Sequence, residues 1–112
     1  MTNTKKIAVA YYTALGKKDL EEVKKYIHPD IQFSDPMETK IGKEAFLEAA
    51  SRFSNMFDTL KIFEQFGSEE KAMIVYEVNV PSLAKPLRAA SLLGFREGMI
   101  VSIELIYDRL RG

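Results

Sequence analysis

The chain contains no cysteine, which excludes disulfides, thiol nucleophiles and cysteine metal sites. It has one histidine, His28, so a metal site built from several histidines is excluded as well. Neither sign of charge is in excess, because 16 Lys and Arg balance 16 Asp and Glu. A protein that holds a nucleic acid backbone needs a basic surplus, so no nucleic acid partner is expected. No apolar run approaches the roughly 18 residues that a membrane span needs. No basic-then-apolar leader opens the chain. These absences predict a cytoplasmic protein with no membrane partner, no metal and no cofactor.

What is present fits one domain over residues 1–112, too short for two independent cores. Apolar residues make up 46% and charged residues 29%, an ordinary globular balance. Seven Phe and five Tyr in so short a chain predict a substantial apolar interior or a pocket.

The first half has helical periodicity. Ile7, Ala8, Tyr11 and Leu15 share one face of a first helix, which Gly16 stops. Asp19 with Glu22 resembles a capping box and starts a short second helix, with Val23, Tyr26 and Ile27 inward. His28-Pro29-Asp30 ends it, because the residue before proline avoids the helical region. At that helix end His28 reads as a solvated cap. Ile31 to Asp35 alternates as a short strand that Pro36 breaks. Gly42 opens a third helix with an aromatic stripe of Phe46, Phe53 and Phe57 around Ala50.

The second half reads as β. Leu60 to Gly67 is a strand, Ser68-Glu69-Glu70 a turn, and Ala72 to Val80 alternates. Pro81 to Pro86 is a connection. Leu87 to Phe95 and Met99 to Asp108 are strands about the turn Arg96-Glu97-Gly98. Short turns between neighbours require antiparallel pairing. Helices segregated from an antiparallel sheet give an α+β fold.

These residues carry a family resemblance. Tyr11 to Pro36, YYTALGKKDLEEVKKYIHPDIQFSDP, resembles the opening of the nuclear-transport-factor-2-like superfamily, in its SnoaL-like and ketosteroid isomerase-like branch. Gly42-Lys43-Glu44-Ala45 is similar to that family's third-helix start, and Phe95 to Val101 to its last hairpin. The resemblance implies a cystatin-like fold: three N-terminal helices packed on a curved antiparallel sheet, forming a cone with an open end. It also implies a ligand in that cone, a small apolar carbonyl-containing molecule. It does not fix one reaction, because isomerases, cyclases, dehydratases and non-catalytic binders share the scaffold.

Carried over residue by residue, the resemblance makes Asp35 the general base of an isomerase and Tyr11 a hydrogen-bond donor to the substrate oxygen. The isomerases' third group, a protonated aspartic acid, falls here on Ala90 or Ser91, and neither is an acid. The cyclases' Asp–His pair is not visible, since His28 lies outside the expected sheet. Phe33, Met37, Phe53, Met56, Phe57, Tyr76, Ser91 and Ile103 are the expected ligand-binding residues. Tyr12 is rotated about 100° from Tyr11 and reads as a different contact. Glu77 and Glu104 interrupt apolar strands and read as the polar side of the sheet, with Arg88 as an ion-pair partner.

Two readings stay open. One is an enzyme in which Asp35 moves a proton next to a carbonyl. The other is a non-catalytic ligand-binding or dimerisation module. In either case the helices cover one sheet face. The apolar residues of the two last strands on the other face predict a homodimer paired through the sheet.

Overall fold

The computed structural model describes residues 3–107. Three helices, α1 (Thr4–Gly16), α2 (Leu20–Lys24) and α3 (Lys43–Ser54), accompany six strands. The strands are β1 (Ile27–Ser34), β2 (Thr39–Ile41), β3 (Thr59–Gly67), β4 (Lys71–Asn79), β5 (Leu87–Arg96) and β6 (Met99–Tyr107). They form one sheet in the order β2-β1-β6-β5-β4-β3. The expected strand end at Asp108 lies outside the described residues.

β3 to β6 are an antiparallel meander, whereas β1 joins the sheet parallel to β6. That pairing corrects the expected second helix and the wholly antiparallel sheet. α2 stops at Lys24, and the chain is already extended at Ile27. Pro29 disfavours helix at His28 and has no N–H for an i−4 carbonyl, and pairing of Tyr26 and Ile27 with Ile100 of β6 holds the chain extended there. In the sheet the same lack of an N–H falls where the β1–β6 register shifts, between Ile27 and Gln32. His28 is therefore a strand residue, not a solvated cap. It is 6% exposed, its Nε2 sits 2.8 Å from Glu97 Oε1, and its Nδ1 accepts from Asp30 N–H.

Other local signals act as their chemistry dictates. Asp19 Oδ1 accepts from Glu22 N–H at 3.1 Å and caps α2. Glu97 and Gly98 both have positive φ, 55° and 77°, as a two-residue hairpin turn requires. Gly42 precedes α3 at φ 101° and ψ 148°, a region only glycine visits cheaply. A Cβ built there meets nothing within 4 Å. Gly42→Ala therefore isolates backbone strain, and a loss of about 1–3 kcal/mol in urea unfolding is expected. An unchanged midpoint would mean the chain relaxes to another φ.

The core lies between the helices and one sheet face. α1 supplies Ala8, Tyr11, Tyr12 and Leu15, and α3 supplies Phe46 and Ala50. Opposite them, Ile74, Tyr76 and Val78 of β4, Ala89, Ser91 and Leu93 of β5, and Ile103 of β6 alternate inward. Two tyrosines one residue apart are both buried because α1 is covered on two sides. Tyr11 faces Phe46 of α3 at 6.3 Å between ring centroids, and Tyr12 faces Tyr76 of the sheet at 4.7 Å.

Candidate functional site

Between α1, α3 and the inner sheet face lies a cavity of about 330 Å³. That is the small end of the range for small-molecule sites. Its walls are mostly apolar. Tyr11, Tyr12 and Leu15 come from α1, and Phe46, Ala50, Phe53 and Met56 from α3 and the turn after it. Phe33 of β1, Tyr76 and Val78 of β4, Leu87 and Ala89 of β5, and Leu105 and Tyr107 of β6 complete the walls. Asp35, Glu38, Lys40 and Arg52 are the charged residues that line it.

Of the residues named from sequence, the cavity gathers Asp35, Tyr11, Phe33, Phe53, Met56 and Tyr76. Met37, Phe57, Ser91 and Ile103 do not line it, each for a local reason. Met37 sits on a turn closed by Asp35 N–H to Glu38 C=O and projects outward, 66% exposed. Phe57 lies three residues past the end of α3, so the helical stripe does not reach it. It packs in the core under the Lys18 ammonium, 4.5 Å above its ring. Lys18 also donates to the carbonyls of Ser54 and Phe57, which fastens the end of α3 to the α1–α2 corner. Ile103 is paired with Phe33 and Leu93 in the packed layer. The cavity begins one pleat along, at Leu105 and Tyr107.

Ser91 is the inward member of the Ala90–Ser91 pair, fully buried, and it accepts a 2.5 Å hydrogen bond from the Tyr12 hydroxyl. The place of a third acid is thus held by a hydroxyl already engaged with the protein. Tyr12, which sequence reading set aside, lines the cavity. The breadth of the apolar arc on α1, running over Tyr11, Tyr12, Ala14 and Leu15, is the signal that contained it.

The three inner tyrosines remain neutral donors. Burial pushes the Tyr11 phenol far up, and neighbouring Tyr76 adds to it. Burial also raises Tyr12 strongly, followed by Tyr76 and Tyr11, against the opposing pull of its Ser91 hydrogen bond. Tyr76 is raised by burial, with the hydrogen bonds to Ser91 and Tyr12 opposing. Among the described residues the Tyr11 hydroxyl has no hydrogen-bond partner. Yet none of their buried side-chain polar atoms is without one. The Tyr11 hydroxyl therefore reaches open space, and the space it borders is the cavity.

Asp35 is held differently. Its Oδ1 accepts from the backbone N–H of Met37 at 2.8 Å and of Glu38 at 2.9 Å. Its Oδ2 has no hydrogen-bond partner among the described residues. One oxygen fixes the turn after β1, and the other is left for chemistry. Among the described residues no group of three or more His, Asp or Glu is placed to hold a metal ion.

The model of the SnoaL-like domain matches residues 8–103. No curated protein matches the chain. Among solved structures, a protein from Kribbella flavida is similar at TM-score 0.90 and 24% identity, covering 98% of this chain and 90% of its own. A provisionally assigned ketosteroid isomerase from the same organism has TM-score 0.83 at 18% identity, covering 97% of this chain and 82% of its own. A provisionally assigned polyketide cyclase from Sinorhizobium meliloti has TM-score 0.80 at 18% identity, covering 89% of this chain and 93% of its own. At such identities the likeness carries the fold and not the reaction.

Proposed function

The chain belongs to the SnoaL-like domain family, and from that premise we propose that it is a small-molecule enzyme that moves a proton next to a carbonyl. The open end of its fold admits a mostly apolar carbonyl compound. Asp35 takes the proton from the α-carbon and returns it elsewhere on the ligand. Tyr11 donates a hydrogen bond to the oxygen on which negative charge develops. The observation that carries this reading is the pairing of two groups on one cavity that are unspent among the described residues: a carboxylate with one oxygen tied by two backbone N–H groups and the other unbonded, and a phenol with no partner. The tied oxygen fixes the direction of the base without neutralising it. With Ser91, already bonded to Tyr12, where the isomerases have a protonated acid, a 3-ketosteroid is expected to be a poor substrate for this site. The test is a panel of enolisable ketones and polyketide-like carbonyl compounds in D₂O, followed by NMR for enzyme-dependent deuterium at the α-carbon. A panel with no exchange above buffer would reject the enzyme reading.

One observation favours a second reading. Asp35 already has a structural task in its turn, and that alone accounts for its presence. On that reading the cavity binds a ligand and does no chemistry.

The protein works as a homodimer joined through the outer sheet face. There Met73, Val75, Ala90 and Leu92 lie half-covered in register, with Ile106 47% exposed beside them. Glu77 and Arg88 pair at 2.9 Å on the same face, and Glu104 stands exposed opposite Leu92. Light scattering at micromolar concentration is expected to give twice the 12.7 kDa chain mass. A single-chain mass would reject the dimer. No helix among the described residues is long and apolar enough to cross a membrane, and a cytoplasmic location is part of this proposal.

A further inference from the structure

β2 is inverted relative to ordinary strand chemistry. Ile41 points away from the core, 72% exposed, while Lys40 between its two exposed neighbours turns inward. The β1–β2 register places Lys40 opposite Phe33, and residues directly opposite on adjacent strands share a face. That face is the cavity wall, which both residues line. The Lys40 side chain is 29% exposed, and its one ion-pair partner among the described residues is Glu38 at 3.5 Å, beyond good hydrogen-bond range. From α3 a second cation, Arg52, lines the same cavity with its nearest acid, Glu48, 3.7 Å away. Two carboxylates also line it: Asp35, whose Oδ1 is tied by two backbone N–H groups while Oδ2 keeps its charge, and Glu38, which leans on Lys40.

We propose that Lys40 determines the specificity of the cavity, selecting ligands with a carboxylate on an apolar body. Arg52 reinforces it from the opposite wall. The ligand carboxylate displaces Glu38 from the Lys40 ammonium and shortens a loose contact to a charge-assisted hydrogen bond. Its apolar body lies against Phe33, Phe46 and Phe53. This inference rests on the reading of the cavity as a small-molecule site, and it does not require Asp35 to be a base.

The experiment uses the full chain and three probes of one shape. They are 2-naphthoate, the neutral ketone 2-acetonaphthone, and 2-naphthylmethylammonium, each titrated at pH 7 and low salt by NMR. The naphthoate is expected to bind at least about tenfold more tightly than the ketone, the weight of about one hydrogen bond to a charged group. Raising the salt should weaken the naphthoate and leave the ketone unchanged. Lys40→Met, which keeps the apolar stem, should erase the preference, while Lys40→Arg keeps it. Glu38→Gln, which removes the competing carboxylate, should tighten naphthoate binding several-fold. Lys40→Gln serves as a second neutral variant should Lys40→Met associate through its edge strand. An inward charge on an edge strand can also serve only to prevent such association. A preference that survives in both neutral variants would assign Lys40 to that task and overturn the proposal. So would equal affinities for naphthoate and ketone, or tightest binding of the ammonium. If no probe binds, the small-molecule reading falls with it. If the ketone alone binds, only the anion preference falls.

Discussion

Asp35→Asn is expected to slow α-proton exchange by roughly 10²- to 10⁴-fold, the usual weight of a positioned general base, with no loss of thermal stability. The reason lies in the division of labour between the two oxygens. Oδ1 accepts from the N–H groups of Met37 and Glu38, and an asparagine carbonyl can accept the same pair. The turn that carries residue 35 into the cavity is thereby retained. What is lost is the charge and basicity of the second oxygen. Asp35→Ala is the informative contrast, because it removes the turn acceptors as well. It should cost stability as well as rate, by the ~1 kcal/mol typical of a lost side-chain cap, and so lower the melting temperature. Equal exchange rates for wild type and Asp35→Asn on every active ketone would mean that Asp35 is not the base. Its conformational role in the turn would then be its whole role.

The elements that sequence reading placed well are those whose signal is local. Asp19 three residues before Glu22, the Glu97-Gly98 turn and the nine-residue alternation of β4 all act within a single element. The β1 error was one of competition between local signals. Tyr26 and Ile27 continue a helical spacing from Val23, but Pro29 disfavours helix at His28, and pairing with Ile100 of β6 holds Ile27 extended. Once β1 starts at Ile27, His28 moves from a solvated end into the sheet, and Glu97 from the last hairpin closes over it. β2 was invisible for a different reason. Three residues with a lysine facing in and an isoleucine facing out carry no recognisable alternation of burial. The site was legible where one helix or one turn brings its residues in, as with Tyr11, Phe53 and Asp35. It was illegible where depth along a strand decides. Ile103 and Leu105 share a face, and only the position of the helices above makes one core and the other wall. Glu38, Lys40 and Arg52 were missed because each looks like ordinary surface charge until the elements meet.

Neighbouring tyrosines on α1 provide the sharpest separation of chemistry from architecture. Tyr11→Phe is expected to lower the exchange rate by about 10²- to 10³-fold, the loss for one oxyanion donor. Its stability should hardly move, because the hydroxyl removed has no partner among the described residues. Tyr12→Phe should do the reverse. It removes the donor to Ser91, a fully buried hydroxyl, at a cost of about 1–3 kcal/mol for an impaired buried partner. For a domain of this size that is a fall in melting temperature of at least several degrees. Its effect on rate should be smaller than that of Tyr11→Phe, since its hydroxyl is spent on Ser91. The ring contacts persist in both variants, at 4.7 Å between Tyr11 and Tyr12 and at 4.7 Å between Tyr12 and Tyr76, so the walls of the cavity stay in place. Differential scanning fluorimetry and the deuterium-exchange assay, run on both proteins, read the two effects independently. Were Tyr11→Phe to retain full rate while Tyr12→Phe lost it, the donor would be the Tyr12–Ser91 pair. The oxyanion would then lie deeper along β5 than the Tyr11 hydroxyl allows.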